Sequence, residues 1–342
     1  MFIFFLLLIL MILFTQKIYI ANQNTDYLSR DNTAEIKGIF IYLVFLSHFK
    51  TYATFNFNLD LWVIDLLGII GQLMVTMFLF CSGYGVFEAI KRKGQVYIDK
   101  FPINRIGKTF FDFAFSIVLF IILGYFTNRK FTMGQIALSF TGWTSVGNSN
   151  WYMFAIFSLY ITTYLSFKLV KKHNFISLCL VSILSLIYVY TLSKLQPDRF
   201  SNTYLCYGAG MWYSFYKDKL DTILQNKPWI YYISLIGLFA LFIWVFPLRG
   251  SRIMMYNIVS IIFCILITFI LMKVSLKSKG LIWLGNHLFW IYILQRIPMI
   301  ILSKLGFSTM PLIYLTLCAI ITIILAIIID RITAYLKSFV FR

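Results

Sequence analysis

Apolar runs of about twenty residues, separated by short polar gaps, recur along the whole chain and leave little room for anything but membrane spans. The runs cover residues 1–16, 36–54, 66–87, 109–128, 149–167, 174–193, 200–216, 228–248, 253–272, 281–303 and 305–329 of the 342. Apolar residues make up 61% and charged residues 12%, against about 45–50% and about 25% in soluble domains. A soluble core of this size has no means of hiding so much apolar surface. The expectation is an all-α, polytopic transmembrane helical bundle of about eleven spans. The longest gaps, 88–108 and 129–148, are too short to fold alone, so any chemistry belongs within the bundle or at its mouths. No clear internal repeat is visible.

Thirty Lys and Arg against twelve Asp and Glu give a net charge of +18. Nucleic acid is a poor partner for this charge, because the basic residues sit in short gaps between spans. Nineteen fall in one alternate set of gaps and eight in the other. By the positive-inside rule this places the C-terminus in the cytoplasm and the N-terminus outside, in a multi-pass plasma-membrane protein surrounded by lipid. The run 1–16 lacks a basic segment before it and a small-residue cleavage site after it, and is read as an uncleaved helix. The five cysteines, Cys81, Cys179, Cys206, Cys264 and Cys318, are scattered, which fits neither a disulfide framework nor a metal site.

Ionisable groups inside spans are costly and mark function. Lys37 and His48 lie eleven residues apart in one run, close to three helical turns, so both share a face about 16 Å apart along the axis. That face carries a fixed cation near the cytoplasmic mouth and a titratable base further out. Alternatively, Lys37 snorkels to the interface and His48 bonds a neighbouring helix. Ser82-Gly83 follows a Phe-rich stretch and suits close helix packing. Arg105 and Lys108, three apart at a helix start, offer an anion site at the basic mouth, although positive-inside bias alone also produces basic loops. Asn150 and Trp151 open the fifth run on the outer side, where amides and an indole suit a carbohydrate hydroxyl as well as an aromatic belt. Gln295, Arg296 and Pro298 close the tenth run, where Pro298 is expected to kink the helix. His287 in the same run is a weaker candidate than His48.

These residues resemble the acyltransferase 3 family of integral membrane acyltransferases. A basic residue, ten residues and then His is similar to Lys37 and His48. The Phe-rich approach to Ser82-Gly83, the basic pair Arg105 and Lys108, the Trp151-Tyr152 helix start, and Leu284-Gly285 followed by Tyr292 and Gln295 match in order and relative position. Two positions depart: Ala34 stands where many relatives carry Asp, and Gln295 where many carry His. The resemblance implies a ten-helix core over roughly 34–330. The division is then an extra N-terminal helix and loop at 1–33 and an acyltransferase domain at 34–342.

The implied activity is transfer of an acetyl group from cytoplasmic acetyl-CoA, a co-substrate, to a sugar hydroxyl of a surface polysaccharide or lipid-linked glycan. His48 is then the general base. Lys37, Arg105 and Lys108 face the donor's phosphates, Ser82 gives packing or oxyanion support, and Asn150, Trp151 and Gln295 face the acceptor. No metal is implied. A glycan transporter or flippase and a non-catalytic partner in polysaccharide export are the alternative readings, since intramembrane Lys and His also suit ion coupling.

Overall fold

A computed structural model describes residues 19, 20, 24, 26–55, 58–171 and 173–341. The run 1–16 lies outside them. Helices account for about 82% of the structure. The strands among the described residues are two-residue segments, β1 (Tyr19–Ile20) and β2 (Val274–Ser275), paired antiparallel with Tyr19 opposite Ser275. The chain is thus an all-α bundle, and among the described residues seven helical stretches are long and apolar enough to cross a membrane.

α1 (Arg30–Phe49) begins at Ser29, whose side chain accepts from the Asn32 amide, as an N-cap does. The end of α2 (Asn58–Ile70) and all of α3 (Leu73–Lys93) form one crossing, Ile64–Lys93, broken at Gly71, whose φ of 51° is a left-handed value open to glycine. Short α4 (Gln95–Asp99) and a π-turn at Pro102–Gly107 lead into α5 (Lys108–Phe126). α6 (Met133–Ser139) lies in the following loop, and then come α7 (Trp151–Leu169), α8 (Asn174–Leu195), α9 (Leu205–Asn226), α10 (Pro228–Val245) and α11 (Ile253–Leu271). The chain closes with α12 (Lys279–Asn286), α13 (Leu288–Leu294), α14 (Arg296–Lys304) and α15 (Pro311–Val340).

The run 1–16 lies outside the described residues; of the other ten expected spans seven are long and apolar enough to count as crossings, and the reasons the remaining three are not are local. α1 is one helix, but Arg30, Asp31, Glu35, Lys37 and His48 lower its apolarity. α9 ends in the polar stretch Lys217–Asn226. The run 281–303 is three short helices rather than one span, interrupted at His287 and Gln295. Pro298 sits in the first turn of α14 rather than in a helix interior; with no N–H to bond the carbonyl of Leu294, it favours a restart at Arg296.

Two close crossings hold the bundle, α3 against α9 and α1 against α12. A Cβ on Gly83 would collide with the Tyr207 carbonyl, and one on Gly210 with that of Phe80. Gly38 meets the Leu281 carbonyl in the same way, and Gly285 that of Ala34. Lipid is as apolar as leucine, so membrane helices associate through such backbone proximity and interhelical hydrogen bonds. Glu35, buried in α1, accepts from the Ser278 amide at 2.7 Å and fixes the start of α12.

Candidate active site

The crossings of α1, α3 and α9 leave a cavity of about 1050 Å³. Arg30 and Lys37 of α1, Arg92 of α3, Arg105 of the π-turn and Lys217 of α9 converge on it. Asp26 and Glu88 are its carboxylates, and Glu88 is already engaged by Lys91 at 2.5 Å and by the Ser214 hydroxyl at 2.7 Å. Five cations from four segments thus face one space whose acidic groups are fewer and partly spent, an arrangement suited to a polyanion.

Local structure sets each cation. Lys37 is half-buried, and its charge lies near Cys81 of α3. Arg105 donates through Nε to the Tyr97 hydroxyl at 2.9 Å, which holds its guanidinium plane. The π-turn carrying it is wider than an α-turn, a feature often found at functional sites. The extra residue per turn also separates Arg105 from Lys108, and Lys108 is not part of the cavity lining. Lys217 is held by Asp221 at 2.5 Å and lies over the Tyr27 ring. Tyr27 donates to Asp221 at 2.7 Å and pairs with the Tyr213 hydroxyl at 2.9 Å. Burial first, and then Tyr213 and Asp221, push the Tyr27 hydroxyl above its ordinary pKa, so it stays a protonated donor. The segment 26–30 is thereby latched across the basic end of the cavity.

The deep end is aromatic. Phe78, Ser82, Tyr152 and Leu288 line it, and Ser82 shares a 3.3 Å hydrogen bond with Tyr160. His48 is not part of the lining. Tyr152 contacts the Tyr292 ring at 5.4 Å, and Tyr292 contacts the His48 ring at 6.1 Å. Two tyrosines therefore stand between the cation-lined cavity and the histidine, which occupies the other end of α1 with its Nδ1 buried and unpartnered among the described residues.

The remaining sequence candidates divide. Gln295 is fully buried beside this histidine layer and donates to the Tyr292 carbonyl at 2.9 Å. The Asn150 amide is taken up by the Gly142 carbonyl at 2.9 Å and orders the loop ahead of α7. Trp151 packs edge-on against Tyr152. His287 stacks on Trp283 and faces Asp330 at 3.8 Å, away from His48's neighbours. The sequence reading missed Arg30, Arg92 and Lys217. Each sits in or beside a basic gap, and there the count of loop charges absorbed it as an orientation signal.

A membrane-embedded helical bundle with an interior basic cavity and a buried histidine defines an integral membrane protein that works within its own helices. A family model described as an acyltransferase domain matches residues 36–331, and the chain belongs to this acyltransferase family, the acyltransferase 3 family that the motifs resemble. No curated protein and no solved structure gives a match.

Proposed function

We propose that this membrane acyltransferase takes its acyl group from acetyl-CoA at the basic cavity and passes it to a sugar hydroxyl of a surface polysaccharide or lipid-linked glycan near His48. The observation that carries the reading is the convergence of Lys37, Arg105, Arg30, Arg92 and Lys217 on one cavity. A phosphate-rich donor suits that charge, and Arg105, held in plane by Tyr97, suits bidentate contact with phosphate. The aromatic deep end suits the less polar acyl-bearing arm. His48 acts as general base on the acceptor hydroxyl, since a hydroxyl is a poor nucleophile at neutral pH.

The test uses purified protein in lipid nanodiscs with acetyl-CoA and a glycan acceptor. Release of free thiol together with an ester signal in the glycan NMR spectrum is expected, and His48→Ala is expected to abolish both while the protein stays folded. Retained ester formation by His48→Ala removes the assignment of the base. Glycan movement across the bilayer without CoA would favour the flippase reading instead.

A further inference from the structure

Among the described residues, eleven buried side-chain N and O atoms lack a well-formed hydrogen bond, and six of them belong to the His48–Tyr292 contact or to residues in electrostatic range of it or beside it in the chain: His48 Nδ1, Asn148 Nδ2, Ser149 Oγ, Tyr292 Oη, Gln295 Oε1 and Arg296 Nε. Tyr292, Gln295, Asn148 and Ser149 are each no more than 3% exposed. Buried polar groups in proteins are almost always paired, so such a concentration in one place points to a ligand. Three of the residues come from the broken run. Tyr292, Gln295 and Arg296 are spaced i, i+3, i+4 across the α13–α14 break, which places them on one face. Ser149, before α7, lies beside the Tyr292 hydroxyl, and Arg296 is within electrostatic range of both Tyr292 and His48.

The chemistry is mixed in a useful way. Arg296 Nε is an unspent donor, the Tyr292 hydroxyl has only Ser149 beside it and can turn to a ligand, and Gln295 Oε1 and, in the neutral Nε2–H tautomer, His48 Nδ1 are acceptors. Acyl transfer to a hydroxyl needs a base for the attacking oxygen and donors for the oxygen of the carbonyl that is attacked. We propose that Tyr292 and Arg296 donate to the acyl carbonyl oxygen across from His48, while Ser149 and Gln295 hold the acceptor hydroxyl. The assignment rests on the acyl-transfer reading above and extends it to catalytic residues beyond the histidine.

In this step the acceptor oxygen bonds to the thioester carbonyl carbon, and its proton passes to His48. The carbonyl oxygen becomes an alkoxide held by Tyr292 and Arg296. The alkoxide then collapses, the carbon–sulfur bond breaks, and the thiolate takes the proton from the imidazolium. The products are an ester and a free thiol, with no other reactant. Tyr292 touches Tyr152, which lines the basic cavity, so the two sites meet where the thioester would arrive.

Tyr292→Phe, Arg296→Lys and Ser149→Ala, reconstituted in nanodiscs, are compared with wild type for thiol release from acetyl-CoA and for ester on the host's extracted surface polysaccharide. Loss of one such donor is expected to lower kcat about 10²–10³-fold, with KM for acetyl-CoA within about twofold of wild type. Ser149→Ala is expected to raise the acceptor KM and leave donor KM alone. A merely structural role would lower the folded fraction and leave kcat per folded enzyme intact. An active wild type with both Tyr292→Phe and Arg296→Lys keeping more than half its kcat overturns the donor assignment. If Tyr292→Phe does not fold, Arg296→Lys decides the donor assignment alone by the same kcat criterion. A folded wild type that releases no thiol removes the acyl-transfer reading itself, and the donor assignment with it.

Discussion

Arg105 and Lys108 are three residues apart and equally charged, yet only Arg105 lines the cavity. The cause is the π-turn at Pro102–Gly107, which changes the angular spacing on which the pairing depends. Arg105→Gln is expected to raise the KM for acetyl-CoA tenfold or more, about 1.4 kcal/mol, within the range for a lost charge-assisted hydrogen bond. Lys108→Gln should change it less than about twofold. Steady-state thiol release at several acetyl-CoA concentrations separates the two, and equal effects would return both residues to a single anion site. The sequence made Lys37 and His48 legible because one unbroken helix relates them. It left Arg92 and Lys217 illegible as site residues because two other helices carry them, and no spacing rule links charges that meet only through tertiary packing; Arg30, seven residues before Lys37 on α1, shares its face but stands at the helix start, where it reads as a loop charge. Tyr292 was visible as a motif residue, but the burial of its hydroxyl beside Ser149 emerges only from the environment of the folded bundle.

The helices meet where side chains are missing. Gly285 of α12 lies against the Ala34 carbonyl of α1, and Gly83 of α3 against the Tyr207 carbonyl of α9. The departure at Ala34 gains a physical reading here, since a small side chain suits the crossing with Gly285. A valine at Gly285 or Gly83 must push two backbones apart, and overpacking of this kind costs about 1–3 kcal/mol. Gly237 in α10 has open space around its missing Cβ and serves as the control. Thermal unfolding in detergent should show a lower Tm for Gly285→Val and Gly83→Val, and none for Gly237→Ala. An unchanged Tm for Gly285→Val would mean that α12 does not seat on α1 as described. Helices of the second to ninth runs and of the eleventh were largely readable from their apolar length. The three-part run 281–303 was not, because composition stays apolar across His287 and Gln295 while the backbone path depends on Pro298 and on partners such as Asp330, which accepts from the Trp290 indole at 3.0 Å.

The whole molecule is polarised: cations from distant segments collect at one end of the bundle, and the histidine layer lies toward the other. We propose that the cation-rich end lies in the cytoplasm, as the positive-inside rule expects from loop charges split nineteen against eight. That orientation carries chemical weight, because acetyl-CoA is cytoplasmic and a surface glycan is not. If the bundle were inverted, the basic cavity would open where its proposed donor is absent. Single cysteines in a background lacking the five native ones test this directly. Val96 in α4 and Met133 in α6 are 63% and 83% exposed and lie in the gaps on opposite sides. A membrane-impermeant maleimide applied to intact cells should label Met133→Cys and not Val96→Cys, and both after permeabilisation. The reverse pattern would leave the acyltransferase family membership intact and rule out cytoplasmic acetyl-CoA at this cavity, because Arg105 and Lys37 would then face the outside.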